Sequence, residues 1–132
     1  MKTFEYSLCI KEFHLDTFGH VNNATYLAIF EEARWELITA NGYGLSEVKQ
    51  LQKGPVVLEV QIKFLKEVCL RENVKIITEL QDCSGKISKM KQTLINSKGE
   101  AACEALFTFG LMDLKERKLI LPTPEWLKAI GQ

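Results

Sequence analysis

One segment, from about Asn23 to Ala40, carries apolar side chains at helical spacing round much of its circumference, and it restricts the fold more than any other feature. Tyr26, Ile29, Phe30, Ala33, Leu37 and Ala40 form a stripe that Leu27 and Ile38 widen. A helix this apolar is expected to be buried over much of its surface, so the rest of the chain must wrap it. Asn41-Gly42 supplies the stop that commonly follows a last helical turn.

The wrapping material is strand-like. Phe4, Tyr6, Leu8 and Ile10 alternate with Glu5, Ser7 and Lys11, so Phe4 to Phe13 reads as a strand ahead of the helix. Beyond the helix, Leu58, Val60, Ile62 and Phe64 alternate with Glu59, Gln61 and Lys63. Val74, Ile76, Thr78 and Leu80 make the next strand, ended by Asp82-Cys83-Ser84-Gly85. Ile87 to Ile95 follows, and Ser97-Lys98-Gly99-Glu100 turns into Ala101 to Met112. Both connections carry the glycine and small polar residues of hairpin turns. A short helix is expected from Thr123, with Pro124 in its first turn and Trp126 as a packing anchor. This order predicts an α+β fold in a single domain over residues 1–132, an antiparallel sheet curled around one long helix.

The 132 residues suffice to bury roughly two thirds of the unfolded chain's surface. Seventeen basic residues balance seventeen acidic ones, so no overall field draws the chain to nucleic acid or an anionic membrane. An anionic ligand must then be met by a local basic cluster. Met1 to Lys11 alternates and carries Glu5, unlike a signal-peptide core, and no apolar run approaches a membrane span, so a cytoplasmic protein is expected. Cys9, Cys69, Cys83 and Cys103 lie far apart with no Cys-x-x-Cys pair. Free, mostly buried thiols are expected, with neither a zinc site nor a disulfide framework.

Just ahead of the long helix stands Asp16-Thr17-Phe18-Gly19-His20-Val21-Asn22-Asn23-Ala24-Thr25-Tyr26. A helix start offers unpaired N–H groups and a partial positive charge, and asparagine is a favoured cap there. A carboxylate upstream of such donors can act as base or nucleophile while the N–H groups hold an oxyanion. On spacing alone the commoner reading is a capped junction whose aspartate bonds loop amides. Gly19 is expected at a positive φ or a close approach. Asn22 and Asn23 read as caps, Tyr26 as core or pocket wall, and His14 as structural. Glu31 lies three residues from Arg34, within ion-pair reach on a helix. Lys89 and Lys91 share one side of a strand, and Lys63, Lys66 and Arg71 cluster before another, as a solvated face commonly does.

The run Asp16, Gly19, His20, Val21, Asn22, Asn23, Tyr26, followed by Phe30, Glu31, Glu32, Ala33 and Arg34, resembles the signature of hotdog-fold thioesterases of the 4-hydroxybenzoyl-CoA type. The resemblance spans the chain in length and element order, with its specific residues between Asp16 and Arg34. It implies the hotdog fold and an acyl-thioester hydrolase acting on acyl-CoA or acyl-carrier protein, with no metal or redox cofactor. It further implies Asp16 as the catalytic carboxylate, a main-chain N–H near Asn23 that polarises the thioester oxygen, and support from Asn22, Gly19, His20 and Tyr26. Glu31 is the secondary candidate, because another branch of the fold uses a helix-borne glutamate. Plant acyl-carrier-protein thioesterases of this fold use Asp-x-Asn-x-His; His20 matches the histidine, but Phe18 stands where the asparagine would be. The resembled enzymes place their sites between subunits, which implies a homodimer or homotetramer.

Three rival readings accompany this one. A hydroxyacyl dehydratase of the same fold would want a histidine and an acid around the hydroxyacyl chain. A non-catalytic acyl-thioester binding protein would keep its ligand without turnover. A structural partner in a larger complex would bind no thioester.

Overall fold

The computed structural model describes residues 2–132. In chain order it contains β1 (Thr3–Cys9), a short 3₁₀ turn (Glu12–His14), α1 (Asn23–Ala40), α2 (Leu45–Leu51), β2 (Lys53–Phe64), β3 (Asn73–Ser84), β4 (Ile87–Ile95), β5 (Ala101–Asp113), β6 (Lys118–Ile120) and α3 (Pro124–Ala129). All six strands join one antiparallel sheet in the order β1-β3-β4-β5-β2, and β6 pairs the end of β5. The sheet curls against α1 without closing into a barrel, the hotdog arrangement.

The helix α1 starts where its cap dictates: Asn22 holds an extended backbone and its Oδ1 accepts the Ala24 N–H at 2.8 Å. It stops at Asn41-Gly42, where Gly42 takes φ +87° and the Tyr43 N–H returns to the Ile38 carbonyl at 2.8 Å. Tyr26, Ile29, Phe30, Ala33, Leu37 and Ile38 are buried. Leu27 is 39% exposed and Ala40 is exposed too, so the sheet covers one side of α1 rather than most of its circumference.

Two apolar clusters line that covered side. Tyr26, Ile29 and Phe30 pack with Ile76, Leu94 and Phe107, whereas Leu37 and Ile38 pack with Tyr43, Phe109, Leu111 and Trp126. The fully buried Gln92 bonds across α1 and the sheet. Its Nε2 donates to the Phe30 carbonyl and to Thr78 Oγ1, both at 3.0 Å, and its Oε1 accepts from Arg34 Nη1 at 2.9 Å.

Several boundaries differ from expectation. The first strand ends at Cys9, because Glu12–His14 tightens into a turn in which the Lys11 N–H donates to His14 Nδ1 at 2.9 Å. The second strand begins at Lys53, and Leu58 sits at a register shift between Val57 and Glu59, where alternation breaks. Asp82 to Ser84 continue β3 beyond a second such shift, leaving Gly85-Lys86 as the whole turn. Neither α2 nor β6 was expected. Of the four free cysteines only Cys103 is buried; Cys69 stands exposed in the connection before β3, and Cys9 and Cys83, each near the end of its strand, are half-buried.

Candidate active site

The loop between the 3₁₀ turn and α1 is tied down on both sides. Leu15 and Val21 form a bridge across its neck, His20 bridges to Cys69, and the Val21 N–H donates to the Val68 carbonyl at 2.9 Å. His14, itself buried, accepts the Asn22 N–H on its carbonyl at 3.1 Å. Within the loop the Asp16 N–H donates to the His20 carbonyl at 2.9 Å, and the Gly19 N–H donates to the Asp16 carbonyl at 3.2 Å. Gly19 turns the chain at φ +90°, and a Cβ added there would meet nothing within 4 Å. Conformation, not space, therefore calls for glycine here.

Asp16 is half-buried, and its Oδ1 accepts the Phe18 N–H at 2.8 Å, the short turn that aspartate commonly builds. Among the described residues Oδ2 has no partner, so one oxygen orients the carboxylate and the other stays free for chemistry. Asp16 faces a cleft of about 550 Å³ that also includes Phe18, His20, Asn23, Tyr26, Phe64 and Lys66. The Asn23 N–H, first in α1, has no acceptor among the described residues, as helix geometry leaves it. The Asn22 side chain is spent on capping.

Tyr26 and Phe64 meet as tilted rings 5.5 Å apart and make the apolar wall. Burial, with smaller contributions from nearby thiols and carboxyls, pushes the Tyr26 phenol up to about 12, which makes it a wall and a hydrogen-bond donor rather than a base. His20 points elsewhere than to the Asp16 carboxylate: its Nε2 lies 3.5 Å from Glu67 Oε1, and its link to Asp16 is through main chain. This geometry gives a loop-positioning histidine, consistent with Phe18 in place of asparagine.

Asp16, His20, Asn22, Asn23 and Tyr26 thus converge, with Gly19 shaping their loop. Glu31 does not join them; it lines a separate cavity beside Arg34. The expected Glu31–Arg34 ion pair is absent among the described residues, because Arg34 turns inward to Gln92 and stacks 4.3 Å over the Phe107 ring. Lys66 reaches Glu100 at 2.8 Å and Arg71 reaches Glu12 at 2.8 Å. Lys89 and Lys91 stand opposite Asp82 and Glu79 across the β3–β4 ladder. Sequence reasoning left Phe18, Lys66 and Glu67 out of the cleft, since neither the loop before α1 nor the segment trailing β2 carries a periodicity that aims its side chains.

Comparison with known proteins gives a consistent result. Residues 13–130 match the family model described as the thioesterase-like superfamily. The long-chain acyl-CoA thioesterase FadM of Escherichia coli is 31% identical over 124 residues, 93% of each chain. Among solved structures, the probable thioesterase YbaW of Escherichia coli superposes with a TM-score of 0.84 at 27% identity, covering 97% of this chain and 98% of that one. A Staphylococcus aureus protein in complex with CoA reaches 0.91 at 18% identity, covering 98% of this chain and 82% of that one, a likeness of fold.

Proposed function

The chain belongs to the thioesterase-like superfamily, and from that premise we propose that it hydrolyses acyl-CoA thioesters with Asp16 as the catalytic carboxylate. The observation that carries the residue assignment is the cleft that Asp16 shares with the first N–H of α1. A thioester carbonyl set between them would have a carboxylate oxygen on one side and a positively polarised donor at its own oxygen. Asp16 then takes a proton from water, the hydroxide adds to the carbonyl carbon, and the Asn23 N–H holds the oxyanion. Collapse breaks the C–S bond and releases the carboxylic acid, while the thiolate leaves with the proton. Direct attack by Asp16, giving a mixed anhydride that water opens, uses the same groups. Tyr26 and Phe64 wall the acyl group next to the carbonyl, and the neighbouring His20–Glu67 contact holds the loop against the segment after β2.

The active form in this proposal is a homo-oligomer in the cytoplasm. β2 is a twelve-residue edge strand that pairs only with β5, and Val57, Leu58 and Phe64 on it are 44%, 47% and 52% exposed. Phe18 is 81% exposed at the cleft mouth, so a second subunit on this side would complete the walls.

Hydrolysis of an acyl-CoA panel, followed by loss of thioester absorbance, tests the assignment with wild type beside Asp16→Asn. The expected result is turnover by wild type and a loss of about a hundredfold or more in a variant of unchanged fold and oligomeric state. Equal rates would remove Asp16 from the chemistry and make Glu31 the next carboxylate to replace.

A further inference from the structure

The two groups assigned to the chemistry are joined through His14. Its main chain leads through Leu15 to Asp16, and its carbonyl accepts the Asn22 N–H at 3.1 Å, one residue ahead of the Asn23 N–H that faces the oxyanion. His14 is only 8% exposed, yet its side chain is an ionisable imidazole. That ring closes the 3₁₀ turn. Nδ1 accepts the Lys11 N–H at 2.9 Å, while the His14 N–H donates to the Lys11 carbonyl, also at 2.9 Å.

A nitrogen that accepts a hydrogen bond carries no proton, so this turn requires the neutral ring with its hydrogen on Nε2. Protonation at Nδ1 sets N–H against N–H and replaces the Lys11 bond with repulsion. Lys11, on the same turn, opposes the imidazolium, and Glu32, on α1, favours it. Tyr6 of β1 donates to that same Glu32, and Glu12 beside His14 is taken up by Arg71. Burial outweighs the Glu32 charge and lowers the His14 pKa below its ordinary 6.5, so the closed turn is the form present at neutral pH. Once protonated, the ring loses Lys11 and is drawn toward Glu32, away from the turn that sets the His14 carbonyl.

We propose that His14 is a positioning residue for the oxyanion donor: its neutral imidazole locks the turn that fixes Asn22 and Asn23, and its protonated form releases them. The inference rests on the assignment of Asp16 and the Asn23 N–H to thioester hydrolysis. The donor is worth most in the transition state, so its release lowers kcat while leaving KM nearly unchanged. Acid pH therefore slows turnover through the main chain of the loop, beyond any effect of pH on the catalytic carboxylate itself.

Two substitutions separate charge from shape. In His14→Asn the side-chain oxygen stands where Nδ1 does and accepts the Lys11 N–H at any pH, whereas His14→Leu supplies no acceptor. Acyl-CoA hydrolysis is followed from about pH 8 to about pH 5, over the range in which circular dichroism reports an intact fold. Wild type is expected to lose about tenfold in kcat toward the acid end through a step that His14→Asn lacks, and His14→Leu to be slow throughout with KM within about threefold of wild type. The difference between wild type and His14→Asn isolates the imidazole from every other group that titrates in the profile. Nuclear magnetic resonance gives a readout independent of turnover. The Asn22 and Asn23 amide signals are expected to move with the midpoint of the His14 ring signals, and that movement should vanish in His14→Asn. The same acid limb in wild type and His14→Asn, or Asn22 and Asn23 amides that ignore the His14 titration, would each overturn the proposal. Should His14→Leu fail to fold, wild type and His14→Asn decide the matter without it. A wild type without turnover at any pH removes the hydrolase reading instead, and the amide signals then decide the coupling on their own.

Discussion

At the scale of single residues, the loop before α1 shows what a short motif can and cannot reveal. The aspartate, glycine and paired asparagines of Asp16–Asn23 were legible because each has a backbone role: a turn acceptor, a positive φ, a cap and a free N–H. The direction of His20 was not, since it depends on Glu67, which lies forty-seven residues downstream and beyond any local spacing. Gly19 offers a direct test of the loop. Its φ of +90° is strained for any residue with a Cβ, so Gly19→Ala is expected to cost about 1–2 kcal/mol in urea unfolding while leaving open space around the new methyl. A variant as stable as wild type would show that the loop does not need this conformation. His14 carries a pH signature. Burial, aided by Lys11 and opposed by Glu32, lowers its pKa below the ordinary 6.5, so the unfolded chain binds the proton more readily than the folded one. Its contribution to stability is therefore whole above about pH 6.5 and falls as pH drops from there toward the folded value, with a slope no steeper than about 1.4 kcal/mol per pH unit. Unfolding midpoints at pH 7.5 and 5.5 should differ more in wild type than in His14→Gln; identical differences would remove His14 as the origin.

At the scale of elements, the long and periodic pieces could be read and the short ones could not. α1 follows from its stripe and caps, and β4 and β5 from alternation bounded by Gly85 and Gly99. α2 has only Leu45, Val48 and Leu51 to mark it, and in isolation seven residues barely form a helix. β6 is three residues long and exists because β5 outruns β4: the β4 ladder on β5 stops at Phe109, and β6 takes over at Leu111. The corner between them is held by Gly110. A Cβ there would stand 2.7 Å from Leu119 Cδ2 and 2.9 Å from the Lys86 carbonyl, a main-chain atom that cannot step aside. Gly110→Ala is accordingly expected to displace β6 and the β3–β4 turn, at a cost of about 1–3 kcal/mol. Hydrogen exchange resolved by residue should show lost protection at those β6 amides that bond β5, with the strands away from this corner unaffected. Unchanged protection across β6 would mean that the corner relaxes at no cost.

At the scale of the whole molecule, what the sequence could not disclose is which side of α1 stays bare. The apolar stripe predicts a helix covered most of the way round, but the single chain covers it from one side and leaves Leu27 exposed. The same view explains the open cleft. Phe18, Phe64 and Leu65 stand 81%, 52% and 48% exposed around it, and β2 presents an unpaired edge alongside. Apolar surface and a long free edge on one flank are costs a lone subunit would bear in water, and a second copy meeting that flank removes both. Sedimentation of wild type is expected to give at least twice the 15.1 kDa of one chain. Leu58→Lys combined with Leu27→Lys places two charges on the flank at positions already open to solvent, so each subunit should keep its fold by circular dichroism. The pair is expected to shift the protein to the monomer and to lower acyl-CoA hydrolysis in proportion to the dimer lost, because the walls of the Asp16 cleft are then left to water. A wild type that sediments as one chain, or a monomeric variant with full turnover, would show that one subunit's cleft is complete by itself.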